Sequence, residues 1–199
     1  MTDLLVASHN PHKIEEISHL LGASFNLLTL KDIGYLADIP ETGKTLEENA
    51  RIKSSTLFDR FGKNVMSDDS GLEIRALNNE PGIFSARYAG PEKNDEMNIK
   101  KVLAEMKGKE NRNAQFRTVV SLYWERSHYF FEGVLSGRIG INSVGTNGFG
   151  YDPIFIPEGS ELTLAQMTLE QKNQISHRSK ALQNLSEFLL KSKKPIIRK

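Results

Sequence analysis

The chain has no cysteine. That excludes disulfides, thiolate nucleophiles and cysteine-built metal sites, and it fits a reducing compartment, so the cytoplasm is the expected location. An excess of charge of one sign is also missing. A formal net charge of +1 lacks the basic footprint that nucleic-acid binding leaves. Long apolar runs are absent too. Residues 1–7 hold Asp3 and a very short apolar stretch, which reads as neither a signal peptide nor a membrane span. No membrane partner is expected, and the sequon Asn184-Leu185-Ser186 is taken as chance. There are no repeats, low-complexity tracts or Pro/Gly/Ser linkers. Residues 1–199 are therefore expected to form a single domain, long enough for two lobes around a shared core. A hydrophobic content of 38% with 26% charged residues is that of an ordinary soluble protein.

What is present reads as alternating strands and helices. Residues 4–7 suit a buried strand, and Pro11 suits the first turn of a helix capped by Asn10. Ile14, Ile17 and Leu21 give that helix its apolar stripe. Residues 25–30 read as a strand. Thr45-Leu46-Glu47-Glu48 is a capping box opening a helix with Leu46, Ala50, Leu57 and Phe61 on its core face. Residues 65–67 read as a short strand, resumed over 72–76 past a bend, and 95–106 as a helix. Two longer strands, 116–124 and 129–139, read as a hairpin around Arg126 and Ser127, and 154–156 as a short strand. Ser176 caps a last helix whose core face holds Ala181, Leu182, Leu185, Phe188 and Leu189. A basic tail, 191–199, is expected to fray. The pattern predicts an α/β fold: a mixed sheet with flanking helices, in two lobes with a cleft between them.

The chemistry-bearing residues sit at the junctions. Asp68 and Asp69 follow the apolar Val65-Met66 and precede Ser70-Gly71. A strand end of this kind is where an open sheet presents its ligand site, although Asp, Ser and Gly also make solvated turns. Carboxylates there suit Mg²⁺, which binds one or two of them plus substrate phosphates, and an Asp can take a proton from water. Ser8, His9, Asn10 and Lys13 lie at a strand–turn–helix junction, a natural anion site. Lys13 in the first helical turn opposes the helix dipole unless an anion faces it. His9 and His12 lack a second ligand pair and read as surface residues. Gly43-Lys44-Thr45 imitates a P-loop end, but Asp38 stands where its first glycine should be. Glu41 is a turn residue or a metal ligand. Lys53 falls on the apolar side of its helix, where a lysine commonly snorkels and otherwise reaches a buried anion. The run 145–153 packs three glycines around Phe149, Gly150, Tyr151 and Asp152, which suits a ligand loop with an aromatic stacked on a flat base. Arg178 in the first turn of the last helix needs an acceptor facing it, and Lys172 lies just upstream. Arginine and His177 are good donors to a base-edge carbonyl.

Together these stretches resemble the inosine triphosphate pyrophosphatases, which hydrolyse non-standard purine nucleoside triphosphates. The resemblance covers residues 8–13, 41–43 with 48–50, 67–71, 81–82 with 85–90, 145–153 and 175–179, in order along nearly the whole chain. It implies an elongated mixed α/β fold with a central substrate cleft, a homodimer, Mg²⁺ dependence, and a nucleoside monophosphate and pyrophosphate as products. Asp69 falls on the general base, and Glu41 with Asp69 on the metal site. Ser8, Asn10, Lys13, Lys53 and Ser70 match positions near the phosphates. Phe149, Gly150, Tyr151, Asp152, Lys172, His177 and Arg178 match the base pocket and its neighbours. Ser8 stands where threonine is common, Asn147 where glycine is usual, and Asn78-Asn79 where Gly-Gly is usual. Asparagine tolerates the left-handed conformation, so these changes are expected to alter loop rigidity only. Two alternatives stay open: another Mg²⁺-dependent nucleotide phosphohydrolase, separated by its product or base preference, and a non-catalytic nucleotide-binding module, separated by binding without turnover.

Overall fold

A seven-stranded mixed sheet frames the protein in a computed structural model that describes residues 2–192. The elements run β1 (Thr2–Val6), α1 (Pro11–Leu21), β2 (Phe25–Thr29), α2 (Leu46–Phe61), β3 (Val65–Ile74), β4 (Glu80–Pro81), α3 (Asp95–Glu105), β5 (Asn113–Trp124), β6 (Ser127–Ile139), β7 (Phe155–Pro157), α4 (Leu169–Ile175) and α5 (His177–Ser192). Residues 193–199 of the basic tail lie outside the described residues. Strand order is β2-β1-β3-β5-β6-β7, with β4 paired to β3. The β1–β2 and β1–β3 pairs are parallel because helices carry the crossovers, whereas β3, β5, β6 and β7 pair antiparallel.

Alternation along the strands sorts the core. Leu4, Val6, Met66, Val120 and Leu122 pack against Ile17 and Leu21 of α1 and Leu182, Leu185 and Leu189 of α5. Leu5 and Val65 pack with Leu57 of α2, and Val119 with Leu46 and Ala50. Further along, Leu72, Ile74 and Phe116 join Val102 and Met106 beside Phe155. The expected caps hold at Asn10, whose side chain accepts from the His12 and Lys13 amides, and at Thr45, which accepts from Glu48 N. The capping box is only half formed, because Glu48 reaches back to Lys44 N instead of Thr45 N. The hairpin turn places Glu125 and Arg126 at φ of 48° and 65°, the left-handed pair that matches strand twist.

Two expectations need correction. The sheet does not break at residues 68–71. β3 runs unbroken from Val65 to Ile74 because β5 pairs with every residue of it, and residues 75–77 form a 3-10 turn. Asp68 and Asp69 are thus mid-strand residues whose side chains go to opposite faces of the sheet. Asn78 and Asn79 do take positive φ, at 54° and 66°. Asn147 does not; its Nδ2 donates to Met167 O and braces the loop instead.

Candidate active site

The turn after β1 and the middle of β3 lie side by side, because Ala7 N donates to Met66 O. Ser8 Oγ accepts from Asn10 N at 3.2 Å and shapes that turn, while His9 Nε2 lies 3.1 Å from Ala37 O at its exposed edge. Lys13 Nζ reaches Asp68 at 3.0 Å, so the anion its position in α1 calls for is supplied by β3. Asp68 also accepts from Arg178 Nε at 3.1 Å and from Ser70 Oγ at 3.2 Å. Burial opposes the Asp68 charge, but Lys13 and Arg178 hold its pKa well below the usual carboxylate range.

On the opposite face of β3, Lys53 does not snorkel. Its Nζ lies 2.8 Å from Glu41 Oε1 and 3.5 Å from Asp69 Oδ1. Ser67 Oγ ties the strand to α2 through Ala50 O, which fixes this spacing. Burial pushes the Asp69 carboxyl above its ordinary value, against the pull of Lys53 and Lys13. Its Oδ2 is buried and has no hydrogen-bond partner. The neighbouring aspartates are therefore driven apart, one locked as an anion and one raised in basicity. Among the described residues no group of three or more His, Asp or Glu is placed to hold a metal. The pair Glu41 and Asp69 nevertheless fits Mg²⁺. That ion takes one or two carboxylates and completes its shell with water and phosphate oxygens, and Asp69 Oδ2 is an uncommitted donor atom.

The other end of the cleft is built on the 145–153 loop. Asp152 Oδ2 accepts from Phe149 N at 3.0 Å and from Lys172 Nζ at 2.7 Å. Gly150 takes φ of 60° and donates its N–H to Asp95 Oδ2 at 2.7 Å. The half-buried Phe149 ring stacks on His12, with centroids 5.1 Å apart and planes at 10°, and Lys172 Nζ lies 4.7 Å from its centroid. His12 is exposed, as its reading as a surface residue has it, and is also a stacking partner. Tyr151 turns inward: its ring joins the core and its hydroxyl donates to Ser85 O at 2.7 Å. His177 stacks on Phe116 at 4.7 Å, and burial drives its pKa far below the histidine value, so the ring is neutral. Arg178 pairs with Glu16 as well as Asp68, and Lys172 also lies 3.0 Å from Glu16.

One cavity of about 840 Å³ joins the two ends and is lined from Ser8, Lys53 and Asp69 to Phe149 and His177. Of the candidate site residues singled out in the sequence, Asp68 alone does not line it: it is buried behind Lys13 and Arg178. Sequence reasoning missed Glu16, Asp95 and Arg87. Glu16 follows Lys13 by one helical turn next to the apolar Ile17, and that spacing was its only signal.

Residues 4–188 match the model of the Ham1 family. The chain is 48% identical over 185 residues to the dITP/XTP pyrophosphatase of Flavobacterium psychrophilum, covering 93% of this chain and 97% of that one. It is 44% identical to the dITP/XTP pyrophosphatase of Bacillus subtilis, over 95% and 98% of the two chains. The Staphylococcus aureus Ham1 protein superposes with a TM-score of 0.89 at 42% identity, over 96% of this chain and all of that one.

Proposed function

The chain belongs to the Ham1 family, and from that premise we propose that it hydrolyses the non-canonical purine nucleoside triphosphates dITP, ITP and XTP to the monophosphate and pyrophosphate. The observation that carries the reading is the single cavity with a carboxylate–lysine end and an aromatic–donor end. Its volume of about 840 Å³ falls in the range of small-molecule sites.

Asp69 is the general base. Its raised pKa makes it a stronger proton acceptor than an exposed aspartate, and the carboxylate oxygen that would not be given to a metal takes the proton of an attacking water. The water oxygen adds to the α-phosphorus, the bond to the bridging oxygen breaks, and pyrophosphate leaves with that electron pair. Lys13 and Lys53 orient the phosphates, with Ser8, Asn10 and Ser70 donating to their oxygens. Glu41 and Asp69 are the residues that would hold Mg²⁺, which when bound supplies charge neutralisation at the phosphates. Positioning and electrostatics of this kind account for most catalysis of phosphoryl transfer.

At the other end a purine takes the stacking place that His12 holds on Phe149. Neutral His177 and the N–H groups of Arg178 not engaged by Glu16, Asp68 and Ser70 donate to the 6-keto oxygen. Adenine presents an amino donor there and leaves these groups unpaired, which discriminates strongly. The cellular role is to remove deaminated purines from the nucleotide pool in the cytoplasm. The proposed assembly is a homodimer, checked by light scattering on purified protein. The test of function is pyrophosphate and phosphate release, scored separately, from dITP, ITP, XTP, ATP, GTP and dUTP with Mg²⁺ and with EDTA. Pyrophosphate from the first three, abolished by EDTA, is the expected result. Orthophosphate as the first product, or preference for dUTP, would overturn it.

A further inference from the structure

Phe149 sits between two flexible joints. Gly148 and Gly150 flank it at φ of 75° and 60°, and glycine gives a chain little resistance to turning there. A ring carried on such a segment makes a stacking face only if both adjoining peptides are held. The preceding N–H, that of Phe149 itself, donates to Asp152 Oδ2 at 3.0 Å. The following peptide is held at its carbonyl by Asp152 N, at a long 3.3 Å, and at the Gly150 N–H by Asp95 Oδ2, at 2.7 Å. Asp152 belongs to the loop and moves with it. Asp95 reaches in from α3, 55 residues away in the chain.

The post that carries Asp95 is fixed. Asn94 caps α3 by accepting from Met97 N at 2.9 Å, so the helix end is satisfied without the Asp95 carboxylate. One turn on, the buried Asn98 accepts from Ala89 N at 2.7 Å and donates to Ala86 O at 3.1 Å. Val102 then anchors the helix in the core. A charged acceptor at this distance makes one of the stronger bonds an N–H can form. Asp95 and Phe149 line the same cleft, and the hydrolytic groups Glu41, Lys53 and Asp69 stand at its other end.

Resting on the function proposed above, we infer that Asp95 is a positioning residue for base recognition: through the Gly150 amide it holds Phe149 as the face on which the purine stacks. The test measures kcat and KM on dITP, with calorimetric titration of inosine monophosphate and of inorganic pyrophosphate with Mg²⁺, in the wild type, Asp95→Ala and Asp95→Asn. We expect Asp95→Ala to raise KM and weaken monophosphate binding by about fivefold to tenfold. Pyrophosphate, which has no base, should bind as before, and kcat should hold. Asp95→Asn keeps an oxygen that accepts from Gly150 N and should stay within about twofold of the wild type. In a Phe149→Ala background Asp95→Ala should add nothing, because the ring through which it acts is gone. An unchanged KM in Asp95→Ala, an equal loss for pyrophosphate, a loss that persists without Phe149, or no recovery in Asp95→Asn would overturn the assignment. Monophosphate binding that depends on Asp95 without any turnover of dITP would sink the catalytic reading and leave the positioning role standing; turnover with Asp95-independent KM and binding would do the reverse.

Discussion

Replacing Asp69 by asparagine separates catalysis from folding. The side chain keeps its shape, and its oxygen can still face Lys53, now 3.5 Å from Asp69 Oδ1. Lys53 also keeps Glu41 at 2.8 Å. What disappears is the lone pair on the unpartnered Oδ2 and the negative charge. Loss of a general base costs about 10²–10⁴ in rate, or roughly 3–5 kcal/mol of transition-state stabilisation. The sign of the stability change follows from the raised pKa. A carboxylate raised by burial is charged at neutral pH against the preference of the folded state, so removing it leaves Tm unchanged or slightly higher. The assay is kcat on dITP alongside thermal melts at pH 7. Turnover within a few-fold of wild type would refute Asp69 as base, and a large drop in Tm would refute the account of its environment.

Asp68→Asn does the opposite, since it strips Lys13 and Arg178 of a buried partner; calorimetry should show a loss of about 3–5 kcal/mol. Acidification should inactivate before it unfolds. Activity falls as Asp69 protonates above the ordinary aspartate value. The Asp68 contribution, fully present above a pH of about 4, is lost only as pH falls through its depressed folded pKa. Coincident midpoints for activity and near-UV circular dichroism would contradict this. Phe149→Ala removes a stacking face worth about 1–3 kcal/mol and should raise KM for dITP; an unchanged KM counts against base stacking. Gly71→Ala puts a methyl 2.5 Å from Gly82 O and should lower stability by about 1–3 kcal/mol, seen as a lower urea midpoint.

Much of the frame was legible because apolar periodicity and caps are local signals. The α1 stripe, the α5 core face and the long hairpin all stand where the spacing puts them. The full length of β3 was not, because Asp68, Asp69, Ser70 and Gly71 look like a turn until β5 pairs with each of them. The polar stretch survives inside the sheet because its side chains meet Ala50 O, Lys13, Arg178, Lys53 and Thr118. α4 carries no apolar stripe of its own and was not read. At the site, motif residues were visible as types, but their partners were not. Lys53 looked like a snorkelling lysine because Glu41 and Asp69 are 12 and 16 residues away in the chain. Arg178 looked like a base reader, while most of its fork is held by Glu16 of α1 and by Asp68 and Ser70 of β3. Tertiary ion pairs leave no periodic trace, which is why Glu16 went unseen.

The most direct measurement is a single turnover of dITP in ¹⁸O-labelled water, followed by mass spectrometry of both products. Attack on the α-phosphorus predicts one ¹⁸O in dIMP and none in pyrophosphate. Label in pyrophosphate, or release of labelled orthophosphate, would contradict the account.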